Sequence, residues 1–176
     1  MSPHLIIDGY NLLALLDRAS GRLPLHSDMA RESLIQELAA YRQRKAHAMT
    51  IVFDGWQQGC STEQHEHRLG IEVVYSRRGE KADQVIQRLA AEFGNDGAVV
   101  SSDREVTNYA KAQGALVLES REFLAKLRAG AMAGRVAFKE LDTGDDPKPG
   151  RSSDKRGNPR KLPKAQRQRN RQLKRF

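Results

Sequence analysis

The chain has 176 residues, enough for one domain with its own core, and its hydrophobic fraction of 39% is low enough that part of it should lie outside that core. The formal charge of +8 is unevenly placed: residues 147–176 hold twelve Lys/Arg against the single acid Asp154, a net of +11, whereas residues 1–146 hold eighteen Lys/Arg against twenty-one Asp/Glu, a net of −3. The lone Cys60 excludes an internal disulfide framework, no apolar run reaches the roughly 18 residues of a membrane helix, and the N-terminus lacks the basic region and apolar core of a signal peptide, so a cytoplasmic address without membrane partners is expected.

The first element is Leu5-Ile6-Ile7, a short apolar run that reads as a buried parallel strand and ends in Asp8-Gly9-Tyr10-Asn11. Asp8 would stand at the strand's carboxyl end, where open α/β sheets bind ligands, and Gly9 would let the backbone turn sharply. Leu12 to Leu16 predict a short helix, and residues 18–26 a loop. Ser27 caps a helix whose Leu34, Ile35, Leu38 and Tyr41 recur at helical spacing to about Arg44. Met49 to Phe53 is a second strand, running into Asp54-Gly55. Residues 55–69 are polar and read as a long irregular loop. Ile71 to Tyr75 is a third strand, followed by a charged loop and an amphipathic helix from Ala82 or Asp83 to Phe93. Ala98 to Ser101 is a fourth strand, ending at Ser102-Asp103. Residues 104–113 form a helix and Ala115 to Leu118 a fifth strand. Ser120 caps a last helix that Gly130 should stop. Strands alternating with helices predict a parallel sheet with right-handed crossovers. Residues 131–146 read as a linker that docks through Val136, Phe138 and Leu141. From Pro147 the chain lacks core residues and is expected to be disordered until bound, with Gln166 to Lys174 as a candidate basic helix on a partner.

Four carboxylates carry the chemistry. Asp8, Asp54 and Asp103 close three strands, and Asp83 sits at or near a helix N-terminus. Each alone reads as a turn former or helix cap; the set points to more. Two bare carboxylates about 4 Å apart repel by roughly 4 kcal/mol at a surface-like dielectric, so a cluster calls for a cation or a shared proton. Oxygen-only ligands favour Mg²⁺ or Mn²⁺ over zinc, and those ions suit phosphodiester hydrolysis. Asn11 and Ser102 are placed to orient water, a carboxylate or phosphate.

Asp8-Gly9-Tyr10-Asn11, Phe53-Asp54-Gly55, Gly79-Glu80-Lys81-Ala82-Asp83 and Ser101-Ser102-Asp103-Arg104 together resemble the NYN domain family, a branch of the PIN-like nucleases, and most of all its bacterial YacP-like members. The resemblance covers about residues 4–129, with residues 1–130 as the nuclease domain. It implies an α/β, Rossmann-like (PIN-like) three-layer sandwich, with a central, mainly parallel sheet of about five strands and helices on both faces. It also implies an acidic Mg²⁺ or Mn²⁺ site and endoribonuclease activity. Carried over by position, Asp8, Asp54, Asp83 and Asp103 become metal-site carboxylates, with Asn11 and Ser102 as accessory polar groups. Lys81 departs from the pattern, since a small or hydroxyl residue is expected there. The region after Gly130 has no counterpart in the resemblance.

Around these motifs, Arg77, Arg78 and Lys81 read either as backbone-phosphate contacts or as a solvated loop. Arg104 would pair with phosphate, with a site carboxylate, or in a structural salt bridge. Trp56 is the better candidate for stacking on unpaired bases, with Tyr10 partly in the core. The tail's Lys155, Arg156, Arg160, Lys161, Lys164, Arg167, Arg169, Arg171, Lys174 and Arg175 suit a polyanion, RNA or a ribosome. Glu63, His65 and His67 lack the further ligands of a zinc site. Three readings compete: a metal-dependent endoribonuclease on single-stranded RNA, a non-catalytic RNA-binding protein of the same fold, and a different Mg²⁺ enzyme such as an aspartyl phosphatase. Against the last, the residue two beyond Asp8 is Tyr10 and not a second Asp.

Overall fold

A computed structural model describes residues 3–20, 27–55 and 61–137 of the chain. The order of elements is β1 (His4–Asp8), α1 (Gly9–Ser20), α2 (Asp28–Lys45), β2 (Met49–Phe53), β3 (Gln64–Arg68), β4 (Ile71–Tyr75), α3 (Ala82–Phe93), β5 (Gly97–Val100), α4 (Arg104–Ala112), β6 (Leu116–Leu118) and α5 (Ser120–Ala137). The strands form one six-stranded sheet in the order β3-β4-β2-β1-β5-β6. All neighbours run parallel except β3, which lies antiparallel along β4 with Glu66 opposite Val73. The α/β class and the mainly parallel sheet are thus as expected, with a sixth strand added.

Alternation along the strands separates two apolar faces. Ile6, Val52, Val74 and Val99 point to one face, which α3 covers with Ala82, Val85, Ile86 and Ala90 and α4 with Val106 and Ala110. Leu5, Ile7, Ile51, Phe53 and Val73 are buried on the other, where α1 and α2 lie. The Tyr41 ring of α2 meets Phe123 of α5 edge-on at 5.3 Å between centroids. Each such side chain removed from water contributes about 1.5–3 kcal/mol. The chain order reverses about β1, which pairs β2 on one side and β5 on the other. The carboxyl ends of these strands are therefore the switch point where such sheets bind ligands.

Four local expectations change. Residues 64–68, read as loop, form β3; all five are exposed, and pairing with β4 holds them without burial of their own. The helix after β1 begins at Gly9 itself and runs twelve residues, well beyond Leu12–Leu16. Gly9 is needed for space and not for a turn: a Cβ there would stand 2.3 Å from the Phe53 ring. Gly130 does not stop the last helix, which continues to Ala137. One glycine costs a helix only about 1 kcal/mol against alanine, and no proline follows nearby. The chain divides into two units, Met1–Gly130 and Ala131–Phe176. Among the described residues no helix is long and apolar enough to cross a membrane.

Candidate active site

The parallel register that sets Ile7 beside Val100 brings Asp8 next to Ser101. The Asp8 carboxylate is almost fully buried, with 7% of its surface exposed. It accepts hydrogen bonds from the Asn11 backbone N–H at 3.0 Å and from the Ser101 hydroxyl at 3.1 Å. Burial pushes its pKa up to about 6; these two hydrogen bonds oppose the shift, and the charges of Asp83 and Asp54 add to it. Ser101 Oγ also accepts from the Asp103 N–H at 3.1 Å, so one hydroxyl ties the end of β1 to the start of α4.

Asp54, just past β2, reaches the N-terminus of α3, where its Oδ1 accepts from the Ala82 N–H at 2.6 Å. Lys81 occupies the N-cap position of α3 and has no acceptor to offer. Asp54 instead offers an acceptor to the first N–H of the helix, that of Ala82. Ser76 braces the same corner, accepting from the Gly55 N–H at 3.1 Å and donating to the Glu80 carbonyl at 2.7 Å. A Cβ on Gly55 would stand 2.0 Å from the Ser76 carbonyl oxygen, so this approach requires glycine.

Asp103 is the N-cap of α4, accepting from the Glu105 and Val106 N–H groups at 2.7 and 3.3 Å. Asp83 lies in the first turn of α3, and among the described residues its carboxylate accepts no hydrogen bond. Its pKa is raised, first by burial and then by Asp103 and Asp54; Lys81 partly offsets them. The four carboxylates thus come from four separate elements and act on one another across the carboxyl edge, beside two helix N-termini whose partial positive charge favours anions.

The accessory residues divide. The Asn11 side-chain oxygen accepts from the Ser102 backbone N–H at 3.3 Å and from the Ser120 hydroxyl at 2.8 Å. Ser102 therefore contributes its backbone, while the hydroxyl that reaches a site carboxylate belongs to Ser101. Neither Ser101 nor Ser120 stands out in the sequence as a site residue. The register of β5 against β1 is the signal that finds Ser101; nothing local finds Ser120. Arg77 is exposed and pairs with Glu80 at 3.2 Å. Arg78, Lys81 and Arg104 are exposed as well, and among the described residues Arg104 forms no ion pair. Tyr10 accepts from Arg31 at 3.1 Å and packs edge-on against Phe53, which makes it part of the core as expected. Trp56 and the basic residues from Lys155 to Arg175 lie outside the described residues.

Among the described residues no three acidic, imidazole or thiol groups converge as a ready-made metal cage. The donor set still fits a hydrated hard cation. All four groups offer oxygen, and Mg²⁺ keeps several waters while one or two carboxylates hold it directly. Asp8 and Asp83 are raised first by burial and then by neighbouring carboxylates, and a dication would oppose both effects.

A mainly parallel α/β sheet with acidic groups at its switch point is the class the structure defines, and comparison with known proteins narrows it to a nuclease-like family. The sequence model of the YacP-like NYN domain matches residues 5–170. The chain belongs to this family. A relative from Bacillus subtilis (strain 168), described as uncharacterized protein YacP, is 31% identical over 124 residues, covering 68% of this chain and 72% of its own. The crystal structure of Rae1 (YacP) from Bacillus subtilis superposes with a TM-score of 0.57 at 27% identity, covering 80% of this chain and 82% of that one. The crystal structure of a point mutant of the same Rae1 gives a TM-score of 0.63 at 25% identity, covering 81% and 85%. The family match runs through residue 170, so most of the basic tail falls inside it, where the sequence reading found no counterpart beyond Gly130.

Proposed function

We propose that the protein is a metal-dependent endoribonuclease that cleaves single-stranded RNA, with Mg²⁺ or Mn²⁺ held by carboxylates of the set Asp8, Asp54, Asp83 and Asp103. The observation that carries this reading is the placement of four carboxylates at the switch point of the sheet, where Asp8 is buried on the end of β1 and Asp54 and Asp103 accept from the N-termini of α3 and α4. Membership of a nuclease-like family supports the reaction class. When bound, such an ion lowers the pKa of an attacking water and neutralises charge on the phosphoryl oxygens. Asp83, which accepts no hydrogen bond among the described residues, is the carboxylate best able to reorient toward an ion. Asp8 is held rigidly and supplies fixed negative charge. Arg78, Lys81 and Arg104 stand exposed and available to backbone phosphates, and Arg77 would have to exchange its Glu80 partner to join them.

The direct test incubates purified full-length protein with labelled single-stranded RNA in Mn²⁺, Mg²⁺ or EDTA. Internal cleavage with either ion and none in EDTA is expected. RNA binding without cleavage under all three conditions would favour a non-catalytic RNA-binding protein, and metal-independent cleavage would refute the mechanism. The tail is assigned to RNA or the ribosome on its charge. If about 6–10 of its cations meet phosphate, affinity should fall by roughly 10³–10⁵ between 50 and 200 mM salt. A chain ending at Asp146 should bind more weakly with a flatter salt dependence. Equal affinities and slopes would remove the tail from RNA binding.

A further inference from the structure

The orientation of one carboxamide assigns two roles. Asn11 stands in the first turn of α1, directly after the Asp8 carboxylate that its own N–H supports. Its side-chain oxygen faces the Ser102 backbone N–H. A backbone N–H can only donate, so the atom facing it is the carboxamide oxygen and not the nitrogen. The Ser120 hydroxyl, on a fully buried residue that opens α5, donates to the same oxygen. Both lone pairs of that oxygen are therefore occupied by protein donors. The nitrogen, with two N–H bonds, meets no acceptor among the described residues, and Asn11 is only half-buried. A side chain arranged in this way is a poor ligand for a cation, which would need the oxygen, and a prepared donor to an anion.

We propose that Asn11 donates through its Nδ2–H groups to a non-bridging oxygen of the scissile phosphate, and that Ser120 is a positioning residue that locks the carboxamide in that sense. The assignment rests on the phosphodiester chemistry proposed above. It separates the site into two sets of groups: carboxylates that hold the cation, and one amide that meets the phosphate. An anion between four carboxylates needs such a donor as well as a cation, because the carboxylates repel it. Ser101 and Ser120 then perform parallel tasks, one fixing Asp8 and the other fixing Asn11.

Kinetics and side-chain NMR test the two roles. Asn11→Ala should lower kcat by about a hundredfold, the usual cost of one preorganised donor. Ser120→Ala leaves the Ser102 contact in place and should lower kcat by about tenfold, with KM for RNA and the Mn²⁺ concentration at half-maximal rate both unchanged. A kcat within twofold of wild type would overturn the positioning role of Ser120. A loss that is recovered by raising Mn²⁺ would show instead that the carboxamide serves the ion. The second measurement needs neither turnover nor a variant. In ¹⁵N-labelled wild type, the Asn11 side-chain NH₂ signals should move when a nucleoside 5′-monophosphate is added in Mg²⁺, and not when Mg²⁺ is added alone. An equal movement with Mg²⁺ alone, or none when the Asp103 and Arg104 backbone amides respond to the nucleotide, would overturn the donor role. A wild type that cleaves no RNA with Mn²⁺ refutes the nuclease reading separately, and the NMR experiment still decides what Asn11 binds.

Discussion

Along the outer edge of the sheet, Glu63, Glu72 and Glu80 each meet a cationic partner. His65 stands between Glu63 and Glu72, at 2.8 and 3.0 Å. Arg88 bridges Glu63 and Glu80, and Arg77 closes the chain on Glu80. At the carboxyl edge, Asp8, Asp54 and Asp103 accept from backbone N–H groups, and Asp83 accepts from none among the described residues. The consequences run in opposite directions. Burial would raise Glu63 and Glu72, but their hydrogen bonds outweigh it and both are held below the usual carboxylate range. Burial raises Asp8 and Asp83, and neighbouring carboxylates raise them further. The first region pairs its charges within the chain; in the second, among the described residues, no cationic side chain forms an ion pair with the four carboxylates. On the function proposed above, that contrast would separate charge used for structure from charge kept for chemistry.

The largest effect should come from removing one charge on the unbalanced side. Asp103→Asn keeps the cap of α4, since an amide oxygen also accepts from N–H groups. Cleavage of single-stranded RNA should fall by about 10²–10³ with the fold intact by circular dichroism. Full activity would break the contrast outright.

Next comes an inverse effect on stability. The pKa of Asp8 is raised from 3.8 to about 6, so between these values the folded chain binds a proton that the unfolded chain does not. The stabilisation is complete below about pH 4 and is lost as pH rises through about 6. At pH 7 the metal-free protein therefore carries a penalty of up to about 3 kcal/mol. Asp8→Asn should remove much of it, raising the urea midpoint at pH 7 while impairing cleavage. A metal-free variant no more stable than wild type would show that the Asp8 charge is already compensated.

On the balanced side, Arg88→Ala breaks ion pairs to Glu63 and Glu80. The cost should be about 1 kcal/mol in urea unfolding, as for partly exposed pairs, with the rate of RNA cleavage within twofold of wild type. A loss of activity as deep as that of Asp103→Asn would merge the two regions. The smallest effect concerns His65, whose pKa is raised by its hydrogen bonds to Glu72 and Glu63. Protonated His65 stabilises the fold fully below about pH 6.5, and this is lost as pH climbs through the higher folded value. His65→Asn should therefore cost about 0.5 kcal/mol at pH 6 and less at pH 8.

The unbalanced region was the more legible in the sequence, because each of its carboxylates directly follows a short apolar run or opens an amphipathic helix. The site's supports were not. Ser101 and Ser102 are adjacent and chemically alike; only the register of β5 decides which hydroxyl meets Asp8, and a shift of one residue would exchange them. Ser120 reaches Asn11 across 109 positions of chain, a contact that no local pattern encodes. The balanced region hid for a related reason. Gln64-His65-Glu66-His67-Arg68 has neither apolar alternation nor turn residues, so a polar edge strand looks like loop until its partner is known. Arg31 shows the same limit inside α2: an arginine only 6% exposed, on a helix face otherwise apolar, explained by Tyr10 and Asp28.

The central proposal is that carboxylates of the set Asp8, Asp54, Asp83 and Asp103 hold a divalent ion, and thermal unfolding across a Mn²⁺ titration tests it most directly. Binding to the folded state alone adds about 2.7 kcal/mol at one hundred times Kd. Wild type should melt progressively higher as Mn²⁺ is added. Asp8→Asn and Asp83→Asn should each start from a higher melting temperature in EDTA, since repulsion is already relieved, and gain less from the ion. Identical Mn²⁺ shifts in wild type and both variants would contradict a shared site.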